Sequence, residues 1–169
     1  MIAPICRRLL TAFLVLSFAS TASALPDDKN QPIHIEADEA VRDEKTGLTL
    51  YRGNVKIRQG SMHIMADVVT LFHIESQADK IVAEGRPAIM EQQRDHESEP
   101  MHAEGEIIEY YKEEERIHIR HQAMLEQDGS TVRSDSIEYF INQELVKAVS
   151  DEPINGEDPG RVRVVIPPN

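Results

Sequence analysis

The chain has 169 residues, 40% apolar and 28% charged, with 30 acids against 18 lysines and arginines. That is one domain's worth of protein with a formal charge of −12, a field that repels phosphate backbones and excludes nucleic acid as a partner. With no Trp among its few aromatic residues, its interior has to be built mostly from Ile, Val, Leu, Met and Ala.

The longest apolar run, Leu9 to Phe18, follows Arg7 and Arg8 and precedes the small triplet Ala22-Ser23-Ala24. A basic stretch, a short apolar run and small residues at a cleavage point are the layout of a secretory signal, and the run is far shorter than the ~20 residues of a membrane span. Residues 1–24 are therefore expected to be removed, leaving 25–169 as a single domain of charge −14 without Arg7, Arg8 and Cys6. Without cysteine, that domain has no lipoprotein anchor, disulfide, thiolate nucleophile or Cys-ligated metal.

Two-residue alternation then recurs along the chain, as in Ile33-His34-Ile35-Glu36-Ala37, Val55-Lys56-Ile57-Arg58 and Met62-His63-Ile64-Met65-Ala66. Such runs predict strands with one apolar face. Breaks at Asp43 to Gly47, Gly53-Asn54, Gln59 to Ser61, Gly85 to Pro87, Gln92 to Pro100, Gln127 to Ser130 and Asp151 to Gly160 keep the strands short. The pattern predicts an all-β domain, with Gln92 to Pro100 as a mobile loop and Pro167-Pro168-Asn169 as a tail that cannot extend a ladder.

An internal repeat organises these strands. One half-unit is a small residue, an acid and an apolar pair or alternation: Ala37-Asp38, Ala66-Asp67-Val68-Val69, Gly105-Glu106-Ile107-Ile108 and Ser134-Asp135-Ser136-Ile137. The other is an alternating strand ending in Gln59, Gln92 or Gln127. Steps of 15 and 14 residues separate Asp38, Gly53 and Asp67, and again Glu106, His121 and Asp135. A period of this size points to stacked strand pairs, with insertions in the longer middle steps around Gly85.

The segment Gln31-Pro32-Ile33-His34-Ile35-Glu36-Ala37-Asp38, the stretch from Tyr51-Arg52-Gly53-Asn54-Val55 through Gln59-Gly60 to Ala66-Asp67, the step Gly85-Arg86-Pro87-Ala88 and the late Ser134-Asp135-Ser136-Ile137-Glu138-Tyr139 together resemble the OstA-like family of periplasmic lipopolysaccharide-transport bridge proteins. The resemblance covers essentially all of 25–169. It implies an open, twisted, two-layer antiparallel β-jelly-roll whose interior groove holds the acyl chains of lipopolysaccharide. It further implies head-to-tail stacking with like domains, between the jelly-roll domains of an inner-membrane transport complex and the N-terminal periplasmic domain of the outer-membrane translocon.

The residues themselves are compatible with that picture. Alternation places Ile33, Ile35, Leu50, Val55, Ile57, Ile64, Ile81, Met90, Ile108, Tyr110, Ile119, Leu125, Ile137 and Tyr139 on candidate inner faces. Such a lining serves either as a plain hydrophobic core or as a compliant aliphatic groove for flexible acyl chains. The candidate assembly edges are Ile33 and Ile35 in the strand Ile33 to Ala37, and Val162, Val164 and Ile166 in the strand Arg161 to Ile166. Arg52, Lys56 and Arg58 are the one basic cluster that could meet phosphates, but a solvated outer face is the better reading of them.

No chemistry is assigned. His34 with Asp38, His63 with Asp67 and His102 with Glu106 recur in register, but i and i+4 on a strand lie roughly 13 Å apart, so no pair chelates an ion alone. The run Glu113-Glu114-Glu115 between Lys112 and Arg116 reads as a turn. Serine elbows, phosphate-cradling glycine loops and HExxH motifs are absent, so neither an enzyme, a metal nor a cofactor is expected. The alternative to a stacking carrier is a monomeric periplasmic lipid-binding or scaffold β-domain, whose edge strands would have to be protected.

Overall fold

The structure is a computed structural model and describes residues 28–74, 77–93, 99–150 and 160–168. The expected leader, residues 1–24, lies outside them, as do residues 94–98 and 151–159 of two predicted breaks. The alternating runs form β1 (His34–Glu36), β2 (Glu39–Asp43), β3 (Leu48–Gln59), β4 (Met62–Ile74), β5 (Gln77–Gln92), β6 (Met101–Tyr111), β7 (Arg116–Gln127), β8 (Ser130–Phe140), β9 (Leu145–Val149) and β10 (Arg163–Val165). Every pairing is antiparallel, in one sheet of order β1-β3-β4-β5-β6-β7-β8-β10, with β2 added to β3 and β9 to β8. The terminal strands β1 and β10 are shorter than the alternation suggests, at three residues each. The acidic run Glu113 to Glu115 lies in the turn joining β6 to β7.

The long strands serve two half-sheets. β1 pairs with Lys56 to Arg58 of β3, and β2 with Leu48 to Arg52 of the same strand. At the far end β10 pairs with Thr131 to Arg133 of β8, and β9 with Ser136 to Phe140. Between these halves each ladder from β3–β4 to β7–β8 shifts register. The shifts form a seam across the sheet, and the seam is the repeat seen in the sequence.

In β4, β6 and β8 the small residue and the apolar residue three places on, Ala66 and Val69, Gly105 and Ile108, Ser134 and Ile137, turn to the same side. A step of three exchanges the faces of a strand, which is the function of a bulge. β3 and β7 make the change through pairs of left-handed residues, Gly53 and Asn54 (φ 79° and 46°) and His121 and Gln122 (φ 61° and 54°). Polar side chains tie the seam together: the Asn54 amide donates to Asp38 Oδ2 at 3.0 Å and the Gln122 amide to Glu106 Oε1 at 3.2 Å.

Because all strands change phase at one level, apolar rows run unbroken across each half. One row passes from Ile35 through Ile57, Ile64, Met90, Ala103, Leu125 and Val132 to Val164. In the other half Ala40, Tyr51, Val69, Ala83, Ile108, Ile119, Ile137 and Ala148 do the same. Directly opposite residues share a face, and the middle members of both rows are 0–2% exposed. No α-helix among the described residues covers that face, so each half-sheet buries its apolar side against the other.

Gly53 is the seam position least open to change. Its φ of 79° is left-handed, and an added Cβ would fall on the Asp38 side chain. Gly53→Ala is expected to destabilise the fold by ~1–3 kcal/mol, measured by urea unfolding. An unchanged midpoint would mean that the seam does not need this conformation.

Candidate functional site

The interior is one continuous cluster. Of the residues that the alternation points inward, Val55, Ile57, Ile64, Ile81, Met90, Ile108, Tyr110, Ile119, Leu125, Ile137 and Tyr139 belong to its buried core, and Ile33 and Ile35 pack against it half-buried. Leu50 does not join them. Thr49 and Tyr51 take the inward positions of that stretch, Thr49 donating or accepting at His73 Nε2 over 3.0 Å. Leu50 therefore alternates to the outer face, in a row with the exposed Val41 and with Thr70.

The sequence pattern missed other inner residues: Met62, Val69, Leu71, Met101 and Ile117, with Ala83, Ala88, Ala103 and Ala123. Ile117 shares the parity of Ile119 and was open to detection on that ground, whereas Val69 is hidden because the seam at Asp67 turns Val68 out and Val69 in. The lining is almost wholly aliphatic and aromatic. Its backbone polar groups are spent in the ladders, and the Tyr139 hydroxyl is a buried polar atom with no hydrogen-bond partner among the described residues.

At both ends of the sheet this lining reaches an edge. Val164 pairs with Val132 and so stands on the inner side, yet it is 54% exposed, and Val162 and Ile166 flank it at 43% and 75%. Among the described residues β1 and β10 each pair on one side only. The inner rows therefore end in solvent-exposed or half-buried apolar side chains next to unpaired strand edges.

The outer face is polar, and several of its charges are paired locally. Of the candidate basic cluster, Arg58 Nη2 donates to Glu36 Oε1 at 2.9 Å and Arg52 lies 3.8 Å from Glu39. Glu109 is nearly buried among Lys80 at 2.8 Å, His118 at 3.3 Å and Arg120 at 3.5 Å. Burial pushes its carboxyl up, but the Lys80 hydrogen bond and the charges of Lys80, Arg120 and His118 outweigh it and hold Glu109 below the usual range. Nothing in the spacing of a single acid on β6 announces cations from β5 and β7.

The histidines in register do share one outer row, His34–Arg58–His63–Glu91–His102, but Arg58 and Glu91 separate them. Two strand spacings are about 10 Å, and no three His, Cys, Asp or Glu side chains come together as a metal-ligand set among the described residues. His102 finds its partners elsewhere than at Glu106. Its Nδ1 meets Glu91 at 3.1 Å and its Nε2 meets Glu104 at 2.8 Å, because Glu104 shares its face and Glu106 lies beyond the phase change.

Residues 34–145 match the family model described as LptA/(LptD N-terminal domain) LPS transport protein. The chain belongs to that family. Its relatives include the lipopolysaccharide export system protein LptH of Pseudomonas aeruginosa, 34% identical over 131 residues that cover 77% of this chain and 75% of the relative. The export protein LptA of Escherichia coli K12 is 29% identical over 146 residues, 85% of this chain and 78% of the relative. The crystal structure of P. aeruginosa LptH, described as the LptA-homologous periplasmic component of a lipopolysaccharide transport device, superposes with a TM-score of 0.77 at 31% identity, over 85% of this chain and all of that one. The all-β family fold is thus shared over 85% of the chain.

His102 supplies a pH test of the outer face. Burial lowers its imidazole, but hydrogen bonds to Glu104 and Glu91 raise it further, so the net shift is upward. A folded-state value above the unfolded one gives stability that is complete below the unfolded value, near 6.5, and is lost as pH rises through the raised value. His102→Gln is expected to destabilise most in mildly acidic buffer and progressively less above neutrality. Urea midpoints of the two proteins across pH 5 to 9 check this, and a constant difference would mean that the imidazolium contributes nothing.

Proposed function

We propose that the protein is a non-enzymatic periplasmic carrier of lipopolysaccharide, shielding its acyl chains between the two half-sheets and passing it on through end-to-end stacking with like domains. The observation that carries this reading is the set of apolar rows that cross the whole sheet and remain uncovered at both edges. A core built only for stability would be expected to end in polar residues at its rim. Here Ile35 at one edge and Val164 at the other continue the lining, as a trough shared between copies requires.

The physics of the cargo fits an apolar site. Lipopolysaccharide is polyanionic and the chain carries −12, so Coulomb forces oppose the encounter. Each methylene moved from water contributes roughly 0.8 kcal/mol, and several acyl chains outweigh that repulsion. Acyl chains reach Met90 or Tyr110 only by separating side chains that now touch, and unbranched methionines and small alanines are the residues that yield most readily. Several outer cations, among them Arg52, Arg58 and Lys80, are engaged with acids, which suits a protein that must release a charged headgroup. Family membership and the relatives' names support lipopolysaccharide as the cargo. The neighbours on this reading are further copies of the chain, the jelly-roll domains of an inner-membrane complex and the N-terminal periplasmic domain of the outer-membrane translocon.

Site-specific photo-crosslinking tests the cargo's place. Photoreactive residues at Ile35, Met90 and Tyr110 are expected to label lipopolysaccharide, and those at Lys56 and Glu91 are not. Equal labelling of inner and outer positions would remove the groove. Stacking is tested by sedimentation: of Val164→Pro and Val165→Pro, the one whose N–H faces away from β8 is expected to weaken self-association, since proline has no donor. If neither variant altered the assembly size, the monomeric alternative would stand.

A further inference from the structure

The two free edges of the β1–β10 half-sheet match each other residue by residue. Eight strands, each antiparallel to the next, run from β1 to β10, so the outermost two point in opposite directions. A second copy set beside the first brings its β1 to β10 in the antiparallel sense and continues the alternation. This rests on the stacking reading above and adds to it the register of the joint.

We infer that β10 of one copy pairs with β1 of the next with Val164 opposite Ile35, so that Arg163 meets Glu36 and Arg161 meets Asp38. The rows fix this choice. Val164 ends the inner row that Ile35 begins, and Arg163 ends the outer row Glu36–Lys56–Met65–Ile89–Glu104–Met124–Arg133–Arg163. Joining the rows end to end sets apolar against apolar inside and arginine against acid outside. Sliding by two residues keeps the faces but halves the charge match: one direction sets Arg161 against Glu36 and leaves Arg163 against His34, and the other sets Arg163 against Asp38 and leaves Arg161 against Ala40.

The charges within one copy favour the same joint. Arg163 stands directly opposite Arg133, and like charges in that position destabilise a ladder. The Glu36 of a second copy inserts an acid beside that pair. Glu36 already accepts from Arg58 through Oε1, and a carboxylate has capacity for a second cation. The β2–β9 half gives no comparable match, because its row from Arg42 ends in Val146. The inference therefore concerns β1 and β10 alone.

Disulfide trapping reads the register directly. In a Cys6→Ser background, Val164→Cys protein is mixed under oxidation with Ile35→Cys, Ile33→Cys or Ala37→Cys protein. Directly opposite residues lie ~4.5–5.5 Å apart between Cα atoms, within the disulfide range of about 4.4–6.8 Å, whereas diagonal neighbours are ~7–8 Å apart. The crosslinked heterodimer is expected several-fold faster with Ile35→Cys than with either control. In sedimentation, Arg163→Glu or Glu36→Arg alone is expected to weaken association about fivefold, the scale of one exposed ion pair, and mixing the two variants to restore it. Equal crosslinking to all three partners, or no rescue by the exchanged pair, overturns this register while concentration-dependent assembly of the unaltered chain keeps stacking intact. Absence of any such assembly in the unaltered chain overturns both.

Discussion

A strand that continues for a dozen residues keeps its apolar side chains on one face, and a sheet that folds over itself must bend without losing that agreement between neighbours. Here the six long strands all change phase at the same level. If one strand failed to do so, half of its apolar residues would turn to solvent and interrupt every row that crosses it. The acids at Asp38, Asp67, Glu106 and Asp135 and the left-handed residues at Gly53, Asn54, His121 and Gln122 are therefore parts of one device. The packed interior, the uncovered edges and the outer polar face all follow from it.

The division of labour between the faces then becomes physical. The inner face makes few polar demands, since the ladders consume its backbone groups. The outer face carries nearly all the charge and pairs several of its charges locally, around Glu109, at His102 and along Glu36 to Arg58. Lys80 and Arg116 also lie over the Tyr111 ring, at 4.7 and 3.9 Å from its centroid, so long cationic side chains cover the half-buried aromatic groups on that side. Separating the half-sheets would disturb none of these contacts, because each is made within a single half-sheet.

Much of this was legible from residue order. Alternation located the β-segments, and the 14- and 15-residue steps marked the seam. The expected breaks at Gly53-Asn54 and Gly85 to Pro87, however, lie inside β3 and β5, because a bulge turns a strand's faces without ending its ladder, so the strands run longer than those breaks suggest. What the order of residues did not disclose was what the seam does. A step of three from Ala66 to Val69 carries no label distinguishing it from an ordinary pair of apolar neighbours, and simple apolarity favoured Leu50 over Thr49 although the neighbouring Tyr51 and the His73 hydrogen bond fix the opposite parity. Glu109 and the Arg133–Arg163 contact depend on which strands lie side by side. Sequence periodicity describes one strand at a time, and such pairs exist only across two.

If copies join edge to edge as proposed, the count of strands limits how proteins of this design can vary in length. Each half-sheet has eight segments, and an even count leaves its first and last strands antiparallel to one another. Adding or losing one strand would make the outer edges parallel, and a following copy would meet an edge running the wrong way. Adding or losing two keeps every junction in the same sense. The hairpin, rather than the strand or the residue, is thus the smallest unit by which such a domain can lengthen or shorten and still join its own kind.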